Sequence, residues 1–142
     1  MIDNINPKIW GDALWKAGYL ISYAYPANPS MSDRQLMRDY FLNYQQILPC
    51  EKCRINFQQH LLKYPLNDNA LKNKFNLMSW LLNINNEVNK ILGKPSITLN
   101  DVYEKYLIAA PQFNAKQILT FILIIAIVCI LGAYIVIKKF KC

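Results

Sequence analysis

The stretch LKNKFNLMSWLLNINNEVNKILGKP (71–95) carries apolar side chains three or four residues apart over most of its length. This spacing predicts a long amphipathic α-helix, because residues so separated share one face of a helix. Gly93 and Pro95 would end the helix, and one of the polar residues at 67–69 would cap its start. The apolar set is Leu71, Phe75, Leu77, Met78, Leu81, Leu82, Ile84, Val88, Ile91 and Leu92. A helix with so wide an apolar face must pack against other elements.

The segments on both sides of this stretch repeat the helical pattern. The other predicted helices run from Pro7 to about Tyr25, from a cap at Ser30 or Ser32 to Pro49, from Pro49 to Tyr64, and over a short segment that follows a cap within 96–100 and includes 102–106. No stretch shows the alternation of apolar and polar residues that is typical of a strand. We therefore predict an all-α fold in which residues 1–110 form a compact four- to five-helix bundle.

The C-terminal residues 118–137 contain no charged residue and no proline. About 20 apolar residues is the length that crosses the hydrocarbon core of a bilayer. A buried core helix is the alternative, but the remaining chain is too short to surround it. We predict a transmembrane helix at 118–137, joined to the bundle by a juxtamembrane linker at 111–117 and followed by a basic tail at 138–142.

Two signals bear on the orientation of this predicted helix. Residues 1–7 lack the basic start and apolar run of a signal peptide. A lone C-terminal anchor would leave the preceding domain facing the cytosol, whereas Lys138, Lys139 and Lys141 favour a cytoplasmic tail. We expect the bundle to face the cytosol. The three lysines favour the opposite orientation, so both orientations are left open.

The basic residues do not point to nucleic acid. The formal net charge is +7, but the lysines are spread along the chain without a stripe of basic and aromatic residues. A domain close to anionic lipid headgroups accounts for the same charge. We therefore predict a membrane partner and no nucleic acid.

The motif Leu-Pro-Cys-Glu-Lys-Cys (48–53) places two thiols in the first turn of a predicted helix. Cys50 and Cys53 are three residues apart, so they share one face and can form a disulfide across a small loop. The unpaired N–H groups of the helix start, together with Lys52 and Arg54, favour the thiolate form. This pattern predicts a reactive dithiol.

Three other interpretations compete for the cysteine pair. A zinc site needs four ligands, and the chain offers one histidine, His60, with Cys129 and Cys142 far along the sequence. We predict no metal and expect His60 to be a surface or half-buried residue. A thioredoxin-like motif would need a βαβ context, which is missing. Two inert buried cysteines are left open as an alternative, although the charged neighbours oppose it.

Taken in order, these residues resemble the flavin-linked Erv/ALR sulfhydryl oxidases, including those of large DNA viruses. The resemblance covers the chain from about Trp10 to Tyr106. It is carried by Trp10-Gly11, Trp15, Tyr25-Pro26, Pro29-Ser30, Leu48-Pro49-Cys50-x-x-Cys53, Trp80, Asn86-x-x-Asn89 and Leu92-Gly93-Lys94-Pro95. An ordered set of this kind is far more specific than any one of its parts.

The resemblance implies a thiol oxidase that binds FAD and forms disulfides in dithiol protein substrates. Cys50 would face the substrate, Cys53 would lie against the flavin, and oxygen would accept the electrons to give hydrogen peroxide. A homodimer would also be in keeping with the resemblance. It further implies that the cofactor contacts Trp15, Tyr19, Tyr23, Asn85, Asn86, Asn89, Lys94, Lys105 and Tyr106.

The chain departs from the family pattern at two pairs of positions. Tyr19 and Asn85 stand where the family usually has histidine; Tyr19 keeps an aromatic face and Asn85 keeps a polar amide. Leu82 and Leu99 stand where many members have a structural disulfide. The loss of that disulfide suits a reducing compartment.

Two alternatives to the flavin enzyme are left open. The chain could be a membrane-tethered helical interaction protein that has lost flavin because of Tyr19 and Asn85. It could also be a disulfide-relay protein that exchanges with thiols but consumes no oxygen. Flavin absorbance in the purified protein separates both from the oxidase.

Overall fold

The computed structural model of the protein describes residues 4–108, 119, 120, 122–126, 129 and 132. The helices within 4–108 are α1 (Pro7–Ala24), α2 (Met31–Leu42), α3 (Tyr44–Ile47), α4 (Glu51–Lys63), α5 (Lys74–Ile91) and α6 (Leu99–Val102), with a π-helix at Tyr103–Leu107. The described residues contain no strand. The prediction of an all-α fold is confirmed.

The predicted starts of the first two helices are confirmed by their caps. Asn6 Oδ1 accepts the Lys8 N–H at 3.0 Å, and Pro7 opens α1. Ser30 Oγ accepts the Asp33 N–H at 3.1 Å, and the Asp33 carboxylate accepts the Ser30 N–H at 2.8 Å. This reciprocal pair satisfies two backbone donors that α2 itself leaves unpaired.

Three predicted boundaries are wrong. The helix predicted from Pro49 is α4, which begins at Glu51, so Cys50 is its N-cap and does not lie in its first turn. The second predicted helix is divided at Asn43 into α2 and α3. The fourth begins later than predicted, because Asn73 caps α5 by accepting the Asn76 N–H at 3.0 Å. Asn67 makes the same kind of bond to the Ala70 N–H at 3.0 Å, but it closes a turn there instead of starting a helix.

The core forms where α1 packs on α5. Gly18 permits this close approach, because a Cβ at this position would lie 3.2 Å from Leu81 Cδ2 and 3.7 Å from Phe41 Cε1. The buried apolar residues are Tyr19, Tyr25, Phe41, Tyr44, Leu48, Phe57, Leu66, Ala70, Leu71, Leu77, Met78, Trp80, Leu81, Ile84 and Val102. Several predicted apolar positions, among them Phe75 and Leu92, are exposed instead.

The chain divides into two compact units, Met1–Ile108 and Ala109–Cys142. In the second unit the described residues, such as Leu119 and Cys129, are helical and exposed. Among the described residues no helix has the length and apolar character needed to cross a bilayer. Most of the predicted span at 118–137, and all of the linker at 111–117 and the tail at 138–142, lie outside the described residues. The transmembrane helix stays a prediction.

Candidate redox and cofactor site

Cys50 and Cys53 form a disulfide at the start of α4, with their Cα atoms 5.1 Å apart. Cys50 is the N-cap residue of the helix, and its Sγ accepts the Cys53 N–H at 3.2 Å. A thiolate on Cys50 would therefore sit at the positive end of the helix dipole. This placement favours the thiolate form of a cysteine and suits thiol exchange.

The two sulfur-bearing residues face different surroundings. Cys53 packs against the buried core. Cys50 lines an open groove of about 380 Å³ together with residues 4–7, Glu51 and Lys52. Both cysteines are half-buried, but only Cys50 lines the groove, so a partner that approaches through the groove meets Cys50.

Residues far apart in sequence hold the redox turn in place. The Ile5 N–H donates to the Pro49 carbonyl oxygen at 2.8 Å, and Asn4 Oδ1 accepts the Glu51 N–H at 2.7 Å. The Arg54 guanidinium donates to the Leu48 carbonyl oxygen. The sequence contains no signal for the roles of Asn4 and Ile5, because no motif connects them with a turn more than 40 residues away.

Four of the predicted cofactor residues meet beside α1. The rings of Tyr19 and Tyr106 are stacked with centroids 5.7 Å apart, and the Trp15 ring lies 6.4 Å from that of Tyr19. Asn85 Nδ2 donates to the buried Tyr19 hydroxyl at 3.1 Å. Burial raises the pKa of Tyr19, so its hydroxyl stays neutral at physiological pH. The two residues that replace the family histidines are thus paired with each other.

Asp12 organises the end of this cluster and was not predicted. Its carboxylate accepts hydrogen bonds from the Lys105 ammonium and, at 2.8 Å, from the Tyr106 hydroxyl. The bond from Lys105 lowers the pKa of Asp12, and the same contact raises the pKa of Lys105. Helical spacing could have indicated that Asp12 belongs to the cofactor site, because Asp12 lies on the same side of α1 as Trp15 and Tyr19.

The remaining predicted cofactor residues take separate positions. Tyr23 is exposed, contacts Tyr103 edge-on at 5.9 Å and lies under the Lys74 ammonium at 5.0 Å. Asn89 is half-buried and Lys94 is exposed. No hydrogen bond or ring contact between described residues joins Cys50 or Cys53 to the predicted cofactor set.

Asn86 closes the loop that follows α5. Its Nδ2 donates to the Ile97 carbonyl oxygen at 2.9 Å, and its Oδ1 accepts the Ile97 N–H at 2.8 Å. The turn in this loop depends on Gly93, whose φ of 66° lies in the left-handed region that favours glycine. Asn86 therefore fixes the backbone that carries Lys94.

Three buried polar side-chain atoms of the described residues have no hydrogen-bond partner. They are Ser22 Oγ on α1, Arg34 Nε on α2 and His60 Nε2 on α4. The expectation that His60 is a surface or half-buried residue is wrong, because it is 7% exposed. Its burial lowers the pKa of the imidazole, which is therefore neutral at physiological pH. The described residues contain no cluster of side chains suited to a metal ion.

Comparison with known proteins gives matches in both sequence and fold. The sequence profile of the Erv1 / Alr family matches residues 12–107. A probable FAD-linked sulfhydryl oxidase of Acanthamoeba polyphaga mimivirus is 38% identical over 100 residues, which cover 70% of this chain and 70% of that protein. An FAD-linked sulfhydryl oxidase of African swine fever virus is 27% identical over 108 residues, 74% of this chain and 88% of the relative.

A solved structure confirms the architecture. The FAD-binding domain of Erv1 from Saccharomyces cerevisiae superposes with a TM-score of 0.64 at 22% identity. The superposition covers 72% of this chain and 95% of that domain. At this identity the likeness establishes a shared fold.

Proposed function

Because this chain belongs to the Erv1/Alr family, we propose that it works as an FAD-linked sulfhydryl oxidase that forms disulfide bonds in protein dithiols. One observation carries this function: the Cys50–Cys53 disulfide caps α4, with Cys50 on an open groove and Cys53 against the core. Such an arrangement separates a substrate side from an interior side.

The thiol chemistry follows from these positions. A client thiolate attacks Cys50 Sγ, the Cys50–Cys53 bond breaks, and Cys53 leaves as a thiolate. The second client thiolate then attacks the client sulfur of the mixed disulfide and releases Cys50. The client has lost two electrons and gained a disulfide, and Cys50 and Cys53 have gained those electrons. The N–H groups at the start of α4 stabilise the thiolate on Cys50.

The residues beside α1 fit an FAD molecule. They provide aromatic rings at Trp15 and Tyr106 beside the buried Tyr19, and they leave the buried Ser22 hydroxyl without a partner. Trp15, Tyr19, Tyr23, Asn85, Asn86, Asn89, Lys94, Lys105 and Tyr106 would hold the cofactor. Lys94, which is exposed on the loop that Asn86 fixes, offers a cation for its phosphates. When bound, FAD would supply the redox chemistry by which the electron pair of the reduced cysteines reaches oxygen to give hydrogen peroxide.

Purified protein is expected to be yellow, with the absorbance of one flavin per chain. It should consume oxygen and produce an equal amount of hydrogen peroxide when dithiothreitol is added. An oxygen electrode and a peroxide assay measure both. Colourless protein that exchanges disulfides without oxygen uptake would favour the flavin-free relay, and colourless protein that does neither would favour a helical interaction protein.

We propose further that residues 118–137 anchor the enzyme in a membrane, with the bundle facing the cytosol of the host cell. The length and apolar character of the segment support the anchor, and the likeness to viral relatives supports a host or virion membrane.

Ile9 and Leu20 are exposed on one side of α1, which supports a homodimer.

A truncated chain that ends at Asn114 is expected to remain soluble and to keep its flavin, because every proposed cofactor contact precedes this residue. The full chain should require detergent for extraction from membranes. Extraction at alkaline pH tests whether the full chain is anchored in the membrane. Absorbance measures the flavin content, and light scattering measures whether the protein is a dimer. An insoluble truncated chain without flavin, or a full chain released without detergent, would contradict the anchor.

A further inference from the structure

The groove beside Cys50 has two walls that come from distant parts of the chain. Residues 4–7 form one wall, and Cys50, Glu51 and Lys52 at the start of α4 form the other. Its volume of about 380 Å³ lies within the range of small ligand pockets. Since Cys53 does not line the groove, a sulfur atom inside it can reach only the Cys50 side of the disulfide.

The wall formed by residues 4–7 is held in place before any client arrives. Its backbone is bonded to Pro49 and Glu51 of the opposite wall, as described above. The Ile5 carbonyl oxygen also accepts the Trp10 Nε1–H at 3.1 Å. A wall fixed in this way loses little conformational freedom when a ligand binds.

The side chains of the groove indicate the character of its occupant. Glu51 and Lys52 carry opposite charges. The groove should therefore discriminate little between clients of different net charge. Ile5 is 46% exposed and is the large apolar side chain of the lining. Exposed apolar area next to a reactive sulfur favours a ligand that brings an apolar side chain close to its own sulfur.

We propose that this groove binds an extended client segment whose reactive cysteine is flanked by apolar residues, and that Ile5 is its specificity-determining contact. The inference rests on the thiol oxidase function proposed above and deepens it. The client segment lies between residues 4–7 and the first turn of α4. In this position its thiolate attacks Cys50 Sγ, and the electron pair of the broken bond leaves with Cys53. A small dithiol such as dithiothreitol reaches the same sulfur without contacting Ile5.

Ile5→Ser in the full chain, kept in mild detergent, tests the contact. The substrates are dithiothreitol and a reduced Cys-Gly-Pro-Cys peptide with two leucines on each side. Loss of the apolar contact should raise KM for the peptide roughly fivefold. The value of kcat and the kinetics with dithiothreitol should stay unchanged, because residue 5 supports the redox turn only through its backbone N–H and carbonyl groups, which the substitution keeps. Ile55→Ser is the matched control, because Ile55 is 48% exposed on α4 and does not line the groove. An unchanged peptide KM, or an equal loss with dithiothreitol, would overturn the proposal.

A binding measurement separates the groove from the redox function. The same peptide with both cysteines replaced by serine, carrying a fluorophore, is titrated with protein and followed by anisotropy. Ile5→Ser should weaken binding roughly fivefold and Ile55→Ser should not. Equal binding by all three proteins would refute the groove even in an active oxidase. A wild-type protein that fails to oxidise dithiothreitol would instead refute the proposed function, and anisotropy would still decide the groove.

Discussion

Cys50→Ser and Cys53→Ser are each expected to lower the turnover of a dithiol by at least about a thousandfold. Each serine leaves a single thiol, and one thiol cannot form the internal disulfide that accepts the two electrons of a client. Oxygen consumption with dithiothreitol measures the loss. Circular dichroism should show an unchanged helical signal, because the disulfide spans one turn at the start of α4.

Cys129→Ser is the matched control for these variants. Cys129 is a free and exposed cysteine in the second unit of the chain, and its replacement should leave turnover unchanged. Near-normal oxygen uptake by either Cys50→Ser or Cys53→Ser would place the redox centre elsewhere. A loss in Cys129→Ser as large as in the other two would show that the redox pair does not work alone.

Phe41→Ala is expected to lower the free energy of unfolding by about 3 to 5 kcal/mol, the usual cost of removing a large buried aromatic ring. Phe41 is 0% exposed, and its ring centroid lies 5.2 Å from that of Trp80 and 4.9 Å from that of Tyr40. The cavity would open where α2 meets the packed pair α1 and α5, next to Gly18. Urea denaturation followed by circular dichroism measures the change.

Phe75→Ala removes the same side chain from an exposed site. Phe75 is 56% exposed at the start of α5, where the Lys74 ammonium lies 5.7 Å from its ring. Its loss should change the free energy of unfolding by about 1 kcal/mol or less. Equal effects of the two substitutions would mean that the ring of Phe41 is not part of the stabilising core.

The sequence predicted the fold well wherever local chemistry decides the structure. Asn6, Pro7 and the Ser30–Asp33 box act within a few residues, and the helices begin where these residues indicate. The start of α5 could not be chosen in this way. Asn67 and Asn73 both accept a backbone N–H three residues ahead, and the local sequence does not say which of them opens the helix.

The candidate site was also predicted only where its contacts are local in sequence. The spacing of Cys50 and Cys53 is sufficient to predict their disulfide. The supporting contacts are not local: Asp12 binds Tyr106, which is 94 residues away, and Asn4 binds Glu51, which is 47 residues away. The pairing of Tyr19 with Asn85 spans 66 residues. A single sequence contains no periodic signal for such contacts.

The loop after α5 is closed without a covalent bond. Leu82 and Leu99 both pack against the core, and Asn86 holds Ile97 through two hydrogen bonds. Neither interaction responds to reducing agents, whereas the disulfide among the described residues is the redox pair itself. Electrochemical work on this protein can therefore use a reductant as a titrant at concentrations that would loosen a fold held together by structural disulfides. The midpoint potential of the Cys50–Cys53 couple can then be measured without reducing another disulfide among the described residues.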